Sequence, residues 1–339
     1  MTTKYKPGIQ TAGDGWLRLH RNENLFIEQD WSIAAASSLI EQASLSLYPD
    51  PDCTQLRLLL AEVYGAEASN IYVGNGSDEV LSSILAILRK TYNAFSILDV
   101  GYRVYPLLAD RYAYQLEVLP GNTFSTGRAW TDQRSCLSVI DSPNAITGTR
   151  LDYETILALA STEGSFVIWD NCYGEFAGDT LPNPLPANIV FVRTFSKYFG
   201  LAGLRIGYCI ADAAIIGEAL ERKDIYNVNA FAQVMALEAL RRRNEFYSLS
   251  QKLLKARDNL VSQLQDVGFS IKESSANFVL ATHPAFSAMF LQSQLAERKI
   301  AVRIYEGNLT SNYLRITVPA PDGLDRLMAA LTSIIGASK

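Results

Sequence analysis

The sequence predicts an α/β protein in which a mostly parallel central sheet is covered by helices and followed by a smaller α+β domain. The first observation is that helical and strand patterns alternate from about residue 52 to residue 212, as they do in parallel sheets. The second is that long helical patterns dominate after residue 212. A chain of 339 residues with 48% hydrophobic content is long enough for both units.

The domain limits are predicted from these patterns alone. Residues 1–30 contain several glycines and a polar cluster, so we expect an irregular arm that joins the small domain. A helix is predicted at 32–43. The large domain is expected over 31–240 and the small domain over 241–339, with no low-complexity linker between them.

Each element follows from local periodicity. In the large domain, helices are predicted at 54–64, 77–90 and 152–160. Strands are predicted there at 71–73, 94–98, 116–119, 137–140, 166–169, 189–192 and 205–210. In the small domain, helices are predicted at 245–265, 285–298 and 323–335. The remaining strands are predicted at 269–272, 277–281, near 302 and at 314–318.

Composition narrows the class of partner. The formal net charge of −5, with 30 basic and 35 acidic residues, gives no electrostatic reason to expect nucleic acid, so we expect a small-molecule partner. The four cysteines and two histidines are scattered without metal-ligand spacing, and we expect neither a metal site nor disulfides. No apolar run reaches the ~18 residues of a membrane helix, so we expect a cytoplasmic protein without membrane contact.

Lys197 is the most informative residue. It closes a polar segment directly after the strand predicted at 189–192, and a glycine-rich stretch follows it. Ligands of open α/β sheets bind at the carboxyl ends of strands, so a lysine there could hold an aldehyde cofactor. The alternative is a solvated lysine in a loop.

Two further segments end at the same edge of the predicted sheet. The segment Gly76-Ser77-Asp78 follows a short strand and opens a helix, with Ser77 as the predicted N-cap. Backbone N–H groups at such a helix start bind phosphate, although an ordinary helix cap has the same sequence. Asp170 directly follows an apolar strand, where a carboxylate is costly to bury unless a cation pairs with it.

Taken together, these residues match the requirements of pyridoxal phosphate. The set is Ser77, Asp170, Thr194, Ser196, Lys197 and Arg205. Lys197 would form the Schiff base and Asp170 would hold the pyridine nitrogen protonated. Arg205 and the hydroxyls would bind the cofactor phosphate. The joint match favours this cofactor more strongly than any single residue does.

The chain resembles the fold-type-I pyridoxal-phosphate aminotransferases, and among them the histidinol-phosphate aminotransferases. The segments that carry the resemblance are Leu-His-Arg-Asn-Glu-Asn at 19–24, Tyr-Pro-Asp at 48–50, Gly-Ser-Asp-Glu at 76–79, the block 194–207 and Leu-Arg-Ile-Thr-Val at 314–318. The block that contains Lys197 is the most specific of them. The resemblance covers nearly the whole chain.

The resemblance implies roles for further residues. Tyr102 would stack on the pyridine ring, and Tyr173 would hydrogen-bond its phenolic oxygen. Tyr48 would reach the phosphate of the neighbouring subunit's cofactor, which implies a homodimer. The substrate-side residues would be Arg315 for the carboxylate, Arg303 for a substrate phosphate, and Asn22. For both arginines a structural or surface ion pair is the alternative, whereas Asn277 is expected to fix local structure.

The sequence departs from the resembled motifs at three turns. The family's Asn-Asn-Pro-Thr-Gly appears as Asn144-Ala145-Ile146-Thr147-Gly148, so either Asn144 takes over the contact with the cofactor or that contact is missing. No proline follows Asn24, and none precedes Tyr102 in Val100-Gly101-Tyr102. These departures affect the predicted substrate more than the predicted cofactor.

The resemblance implies transamination of L-histidinol phosphate or a similar amine, with 2-oxoglutarate as the amino acceptor. Lys197 would move the substrate's Cα proton as general base and acid. Alternatives on the same fold are threonine-phosphate decarboxylation and a secondary-metabolite aminotransferase. A more distant alternative is a homologue that binds ligand without catalysis.

Overall fold

The computed structural model describes most of the chain. The described residues are 11, 13–27, 46–121, 136–307 and 310–336. The helix predicted at 32–43 and the first ten residues of the predicted arm lie outside them. Within them the predicted fold class is confirmed, because a central sheet with helices on its faces is followed by a smaller α+β unit.

The strands and helices are numbered in chain order. The strands are β1 Leu17–Arg18, β2 Ile71–Gly74, β3 Ala94–Leu98, β4 Gln115–Leu119, β5 Leu137–Asp141, β6 Phe166–Asp170, β7 Ile189–Thr194, β8 Gly207–Ile210, β9 Ser270–Lys272, β10 Phe278–Thr282, β11 Ile300–Ala301 and β12 Leu314–Thr317. The helices are α1 Thr54–Tyr64, α2 Ser77–Leu88, α3 Tyr105–Arg111, α4 Tyr153–Ala160, α5 Gly174–Ala177, α6 Ala213–Arg222, α7 Ala230–Arg241, α8 Arg243–Asp266, α9 Ala288–Glu297 and α10 Pro321–Gly336.

The central sheet has the strand order β2-β8-β7-β6-β5-β3-β4. Strands β4, β3, β5, β6 and β7 are parallel neighbours, whereas β8 is antiparallel to both β7 and β2. The register aligns Asp141 of β5 with Asp170 of β6, and Asp170 with Val192 of β7. The carboxyl ends of these three strands therefore meet at one edge of the sheet.

Successive side chains of each strand point to opposite faces of the sheet, and an apolar core forms on each face. In β6, Val167 and Trp169 contribute to one core, whereas Phe166 and Ile168 contribute to the other. Helices cover both faces, so the central strands are buried throughout. Polar side chains are consequently concentrated where the strands end, and this is where a site can form.

Three local differences from the sequence prediction have physical reasons. Gly76, not Ser77, is the N-cap of α2, and Ser77 is the first helical residue. The strand predicted from 205 begins at Gly207, because Arg205 has a left-handed backbone with φ 51°. Helix α3 was not predicted, since its seven residues are too few for a clear helical period.

The C-terminal unit contains the antiparallel sheet β12-β10-β9, contacted by α8. Helices α7 and α8 meet at Arg242, close to the predicted domain boundary. The end of the arm is more ordered than predicted, because β1 pairs in parallel with β11 and Leu19 is fully buried. No helix among the described residues is long and apolar enough to cross a membrane.

Candidate active site

A cavity of about 550 Å³ lies at the carboxyl ends of β5, β6 and β7. Its wall combines residues from around the central sheet with residues of the segments 20–23 and 303–315. The predicted site residues in that wall are Ser77, Asp78, Tyr102, Asp170, Tyr173, Thr194, Ser196, Lys197, Arg205, Arg303 and Arg315. The fold therefore brings residues that are distant in sequence together around one cavity. The size of this cavity is typical of small-ligand sites.

One end of the cavity is built to bind an anion. Helix α2 begins there after Gly76, whose φ is 86°, and the first-turn residues Ser77 and Asp78 line the wall. Arg205 donates to Asp78 Oδ2 at 3.0 Å and to Ser196 Oγ at 3.5 Å. A Cβ on Gly76 would lie 2.6 Å from Arg205 Nη2, so glycine is required there. The helix N-terminus and the guanidinium together suit a phosphate.

Asp170 presents a buried carboxylate in the wall of the same cavity. It is 4% exposed, and Tyr105 Oη donates to its Oδ2 at 2.8 Å. Burial raises the pKa of Asp170, while hydrogen bonds from Cys172 and Tyr105 offset part of that rise. A cationic ligand atom beside this carboxylate would stabilise its charged form, as a protonated pyridine nitrogen does.

The Lys197 amine projects into the same cavity. Its Nζ donates to the Arg21 carbonyl at 3.1 Å and lies 5.7 Å from the centre of the Tyr173 ring. Burial, reinforced by the charge of Arg315, lowers the pKa of Lys197 to about 8. A substantial share of this amine is therefore neutral at mildly alkaline pH, which makes it both a nucleophile and a proton acceptor.

Arg315 is held by backbone carbonyls of two different segments. Its Nη1 donates to Ala145 O at 2.7 Å and its Nη2 to His20 O at 2.9 Å. The guanidinium also lies 5.1 Å from the centre of the Phe278 ring. The Nε of Arg315 is buried without a hydrogen-bond partner among the described residues. This arrangement fixes the side chain at the cavity wall, where it can bind a carboxylate.

Two backbone hydrogen bonds hold Arg303 and Arg315 opposite each other. Arg303 N donates to Arg315 O at 3.1 Å, and Arg315 N donates to Arg303 O at 2.7 Å. Both guanidinium carbons lie 5.2 Å from the centre of the Tyr305 ring. Sequence reasoning missed Tyr305, because only this tertiary pairing brings the two cations to one aromatic ring.

Asn22 acts behind the wall rather than in it. Its Nδ2 donates to Tyr173 Oη at 2.9 Å, and its own carbonyl accepts from Asn277 Nδ2 at 3.1 Å. Thr317 Oγ1 donates to Asn22 Oδ1 at 3.3 Å. The described contacts of Asn22 thus support Tyr173, whose pKa is raised by burial, and the predicted substrate contact of Asn22 stays a prediction. Asn277 has the structural role expected of it.

The side-chain amide of Asn144 is hydrogen-bonded at both ends. Its Nδ2 donates to Val100 O at 2.8 Å and to Asp141 Oδ1 at 3.1 Å. Its Oδ1 accepts the N–H groups of Ile146 at 3.0 Å and Thr147 at 2.9 Å. Both ends of the amide therefore bond to other protein groups, and Asn144 is not among the described residues that line the cavity; its predicted cofactor contact stays a prediction. Ala145 lines it instead.

Asp141 is the main wall residue that the sequence analysis missed. It is 4% exposed and lies at the end of β5. Burial raises the pKa of Asp141 to about 8, although hydrogen bonds from Ala145 and Tyr102 oppose the rise. The strand-end argument that identified Asp170 applies equally to Asp141, because each acid directly follows its predicted strand. Arg21, Arg103 and Cys172 also line the cavity without having been predicted.

Besides Asn22 and Asn144, two other predicted residues lie outside the wall. Gly76 acts by allowing the close approach of Arg205, as described above. Tyr48 is 81% exposed and is not among the described wall residues of its own chain. No cluster of three or more potential metal ligands occurs in the part of the chain that the structure describes.

The fold and the site define a pyridoxal-phosphate-dependent enzyme. The phosphate-binding helix start, the buried acid and the low-pKa lysine together fit that cofactor's phosphate, ring nitrogen and aldehyde. A family model described as aminotransferase class I and II matches residues 14–331. The chain therefore belongs to the class I and II aminotransferases, and pyridoxal phosphate is its cofactor.

Curated relatives match over nearly the full length. A histidinol-phosphate aminotransferase of Microcystis aeruginosa is 33% identical over 338 residues, covering 99% of this chain and 97% of the relative. Histidinol-phosphate aminotransferase 1 of Hydrogenovibrio crunogenus is 33% identical over 341 residues, with 98% and 95% covered. Both relatives support assignment of this chain as an aminotransferase that uses an amino donor and a 2-oxo acid.

Solved structures share the fold at lower identity. Histidinol-phosphate aminotransferase from Sinorhizobium meliloti, in complex with pyridoxal-5'-phosphate, has a TM-score of 0.81 at 22% identity, covering 95% of this chain and 91% of its own. L-threonine-O-3-phosphate decarboxylase from Porphyromonas gingivalis has a TM-score of 0.83 at 22% identity, with 94% and 99% covered. At this identity the likeness concerns the fold alone.

Proposed function

We propose that this aminotransferase acts on L-histidinol phosphate, or a closely similar phosphorylated amine, with 2-oxoglutarate as the amino acceptor. The observation that carries the proposal is the charge of the substrate side of the cavity. Besides Arg205, four arginines line the cavity, Arg21, Arg103, Arg303 and Arg315, and the acids in its wall are Glu23, Asp78, Asp141 and Asp170. Such a surface suits a phosphate in one half-reaction and a dicarboxylate in the other.

The residues of the site would have distinct roles in binding the cofactor and in proton transfer. Asp170 would hold the protonated ring nitrogen, and Arg205 with Ser77, Thr194 and Ser196 would hold the cofactor phosphate. Bound pyridoxal phosphate supplies an electron sink for the bonds of the substrate's α-carbon. The Lys197 amine would remove the proton from that carbon, and its lowered pKa suits this role at neutral to mildly alkaline pH.

Positioning of the two ligands would come from both faces of the cavity. Tyr102 would cover the ring of the cofactor, and Tyr173, supported by Asn22, would donate to its phenolic oxygen. Arg315 would bind a carboxylate through its guanidinium, while Arg303 would bind the substrate phosphate. Because two arginines contact the Tyr305 ring, that ring would help to orient both of them.

An exposed apolar patch away from the cavity wall supports the predicted homodimer. Tyr48 stacks on Tyr226 with 4.5 Å between ring centres, and Leu47 and Ile225 beside them are 69% and 67% exposed. We infer that a second copy of the chain covers this apolar patch and that Tyr48 reaches the partner's cofactor phosphate. The predicted cytoplasmic location remains a prediction.

The dimer is tested by placing a charge in the patch. Ile225→Asp should shift the protein to monomer in analytical ultracentrifugation and weaken cofactor retention, because a buried unpaired carboxylate opposes association. Met289→Asp is the matched control, since Met289 is 71% exposed on helix α9. An unchanged dimer in Ile225→Asp would contradict the assignment of this patch.

The activity is tested with purified holoenzyme, L-histidinol phosphate and 2-oxoglutarate. The expected result is formation of glutamate together with the oxo product, abolished in Lys197→Ala. Activity with another amine and none with histidinol phosphate would reject the substrate. Release of carbon dioxide from threonine phosphate without consumption of 2-oxoglutarate would instead favour decarboxylation. Absence of both, with the cofactor bound, would favour a ligand-binding homologue.

A further inference from the structure

Two turns that flank the cofactor pocket meet on one buried carboxylate. Asp141 Oδ2 accepts the N–H of Tyr102 at 3.1 Å and the N–H of Ala145 at 3.1 Å. Its Oδ1 accepts Asn144 Nδ2 at 3.1 Å. Asp141 is thus the common acceptor for donors from two segments that are separated by more than forty residues.

The first turn carries the aromatic cover of the pocket. Besides its backbone bond to Asp141, Tyr102 donates from its hydroxyl to Asp78 Oδ1 at 2.9 Å. Its ring meets that of Tyr105 edge-on, with 5.7 Å between centres. The ring is therefore fixed at its backbone end, at its hydroxyl and along one edge, and the backbone fixation comes from Asp141.

The second turn leads to the substrate side. Ala145 donates its N–H to Asp141, and its carbonyl accepts Arg315 Nη1 at 2.7 Å. A single residue therefore links the carboxylate to the arginine. Neither turn has the proline that the resembled motifs carry, since Val100 and Ile146 stand in those places. Proline restricts backbone φ without a hydrogen bond, so here the restriction depends on the carboxylate.

We propose that Asp141 is a positioning residue that couples the ring cover Tyr102 to the carboxylate-binding Arg315 through the peptide groups of Ala145. The inference rests on the functions proposed above for Tyr102 and Arg315. Asparagine is the informative replacement, because it keeps the shape but has one acceptor oxygen. Its amide nitrogen would face backbone donors that require an acceptor.

The experiment compares holoenzyme with Asp141→Asn, and Asp179→Asn serves as the control. Asp179 is a buried carboxylate at 9% exposure that accepts from Asn171 at 2.7 Å and is not among the described wall residues. Two properties are measured: the circular dichroism of the bound cofactor's absorption band, and the dissociation constant of succinate, a dicarboxylate that cannot accept an amino group.

We expect Asp141→Asn to reduce the cofactor's dichroic band and to weaken succinate binding by roughly tenfold, the upper end of the effect of losing one hydrogen bond. Asp179→Asn should lower the melting temperature and leave both signals unchanged. A dichroic band and a succinate constant within twofold of wild type in Asp141→Asn would overturn the proposal. If Arg315→Gln also leaves succinate binding unchanged, the proposed function of Arg315 fails first.

A second measurement does not depend on a variant that folds. In native-state hydrogen exchange of the holoenzyme, the amides of Tyr102 and Ala145 should be protected, because both donate to a buried acceptor. The exposed amide of Gly121, which donates to Asp99 at 2.6 Å, provides a turn amide for comparison. Exchange at Tyr102 and Ala145 as fast as at Gly121 would overturn the coupling.

Discussion

The replacement Gly76→Ala tests the anion-binding end of the cavity most directly. Gly76 has φ 86° and ψ 164°, a region that is open almost only to glycine, so alanine costs about 1–3 kcal/mol in backbone strain. The new Cβ would also lie 2.6 Å from Arg205 Nη2. Since an ordinary contact is about 3.4 Å or longer, the guanidinium must move by roughly 0.8 Å or more away from the phosphate position.

The consequence should be seen in cofactor binding rather than in folding alone. A displaced guanidinium loses charge-assisted hydrogen bonds to the phosphate, each contributing about 1.5–3 kcal/mol, so the dissociation constant should rise roughly 10- to 150-fold. The assay is equilibrium titration of the cofactor-free protein with pyridoxal phosphate, followed by absorbance. Tm values of the cofactor-free proteins measure the backbone strain separately.

Gly178→Ala is the matched control for this prediction. Gly178 also has a positive φ, 72°, but nothing lies within 4 Å of the position of an added Cβ. Alanine there should cost about 1–2 kcal/mol of stability through the left-handed backbone and leave cofactor affinity unchanged. The reasoning would be refuted if Gly76→Ala bound pyridoxal phosphate within twofold of wild type while showing the same loss of stability as the control.

Three other outcomes are expected. The rate at which the cofactor-free protein captures pyridoxal phosphate should rise with pH and level off above about pH 8. The reason is that the neutral Lys197 amine is the nucleophile and burial lowers its pKa to about 8. A stopped-flow rate that continues to rise to pH 10 would contradict this. Glu175→Gln should destabilise the protein by about 3–5 kcal/mol in urea unfolding, because it leaves Arg193 as an uncompensated buried charge. The side chain of Arg193 is 1% exposed and lies 2.6 Å from Glu175. A loss of stability below about 1 kcal/mol would count against a charged Glu175–Arg193 pair. Arg303→Gln should raise the KM for histidinol phosphate roughly tenfold and change the KM for 2-oxoglutarate less in steady-state kinetics, whereas equal changes would argue against a phosphate contact.

The strand-end argument explains which parts of the site could be predicted from sequence. Lys197, Asp170 and Arg205 lie within or beside strongly apolar runs, so local pattern was enough to place them at one edge of the sheet. Their combination predicted the cofactor, and the resemblance of the surrounding motifs to a known family predicted the class of protein. Asp141 obeys the same rule, since it directly follows the strand predicted at 137–140, and the same argument would have identified it.

Other features had no local signal. Strand β1 has two residues and depends on β11, which is about 280 residues further along the chain. The left-handed backbone of Arg205 is uncommon for a residue other than glycine, so it could not be read from the sequence. Asn144 was expected to face the cofactor, yet the turn uses its amide for its own backbone, a common role for asparagine.

The backbone contacts of the arm segment 20–22 limit which sequence changes this enzyme can accept there. The three consecutive carbonyls of His20, Arg21 and Asn22 accept from Arg315, Lys197 and Asn277, respectively. Because these contacts use main-chain atoms, they do not depend on which side chains stand at the three positions. Loss or gain of one residue, by contrast, would shift the segment by about 3.8 Å and break all three contacts together. These three backbone contacts should therefore survive substitution of the side chains but not a change in the length of the segment.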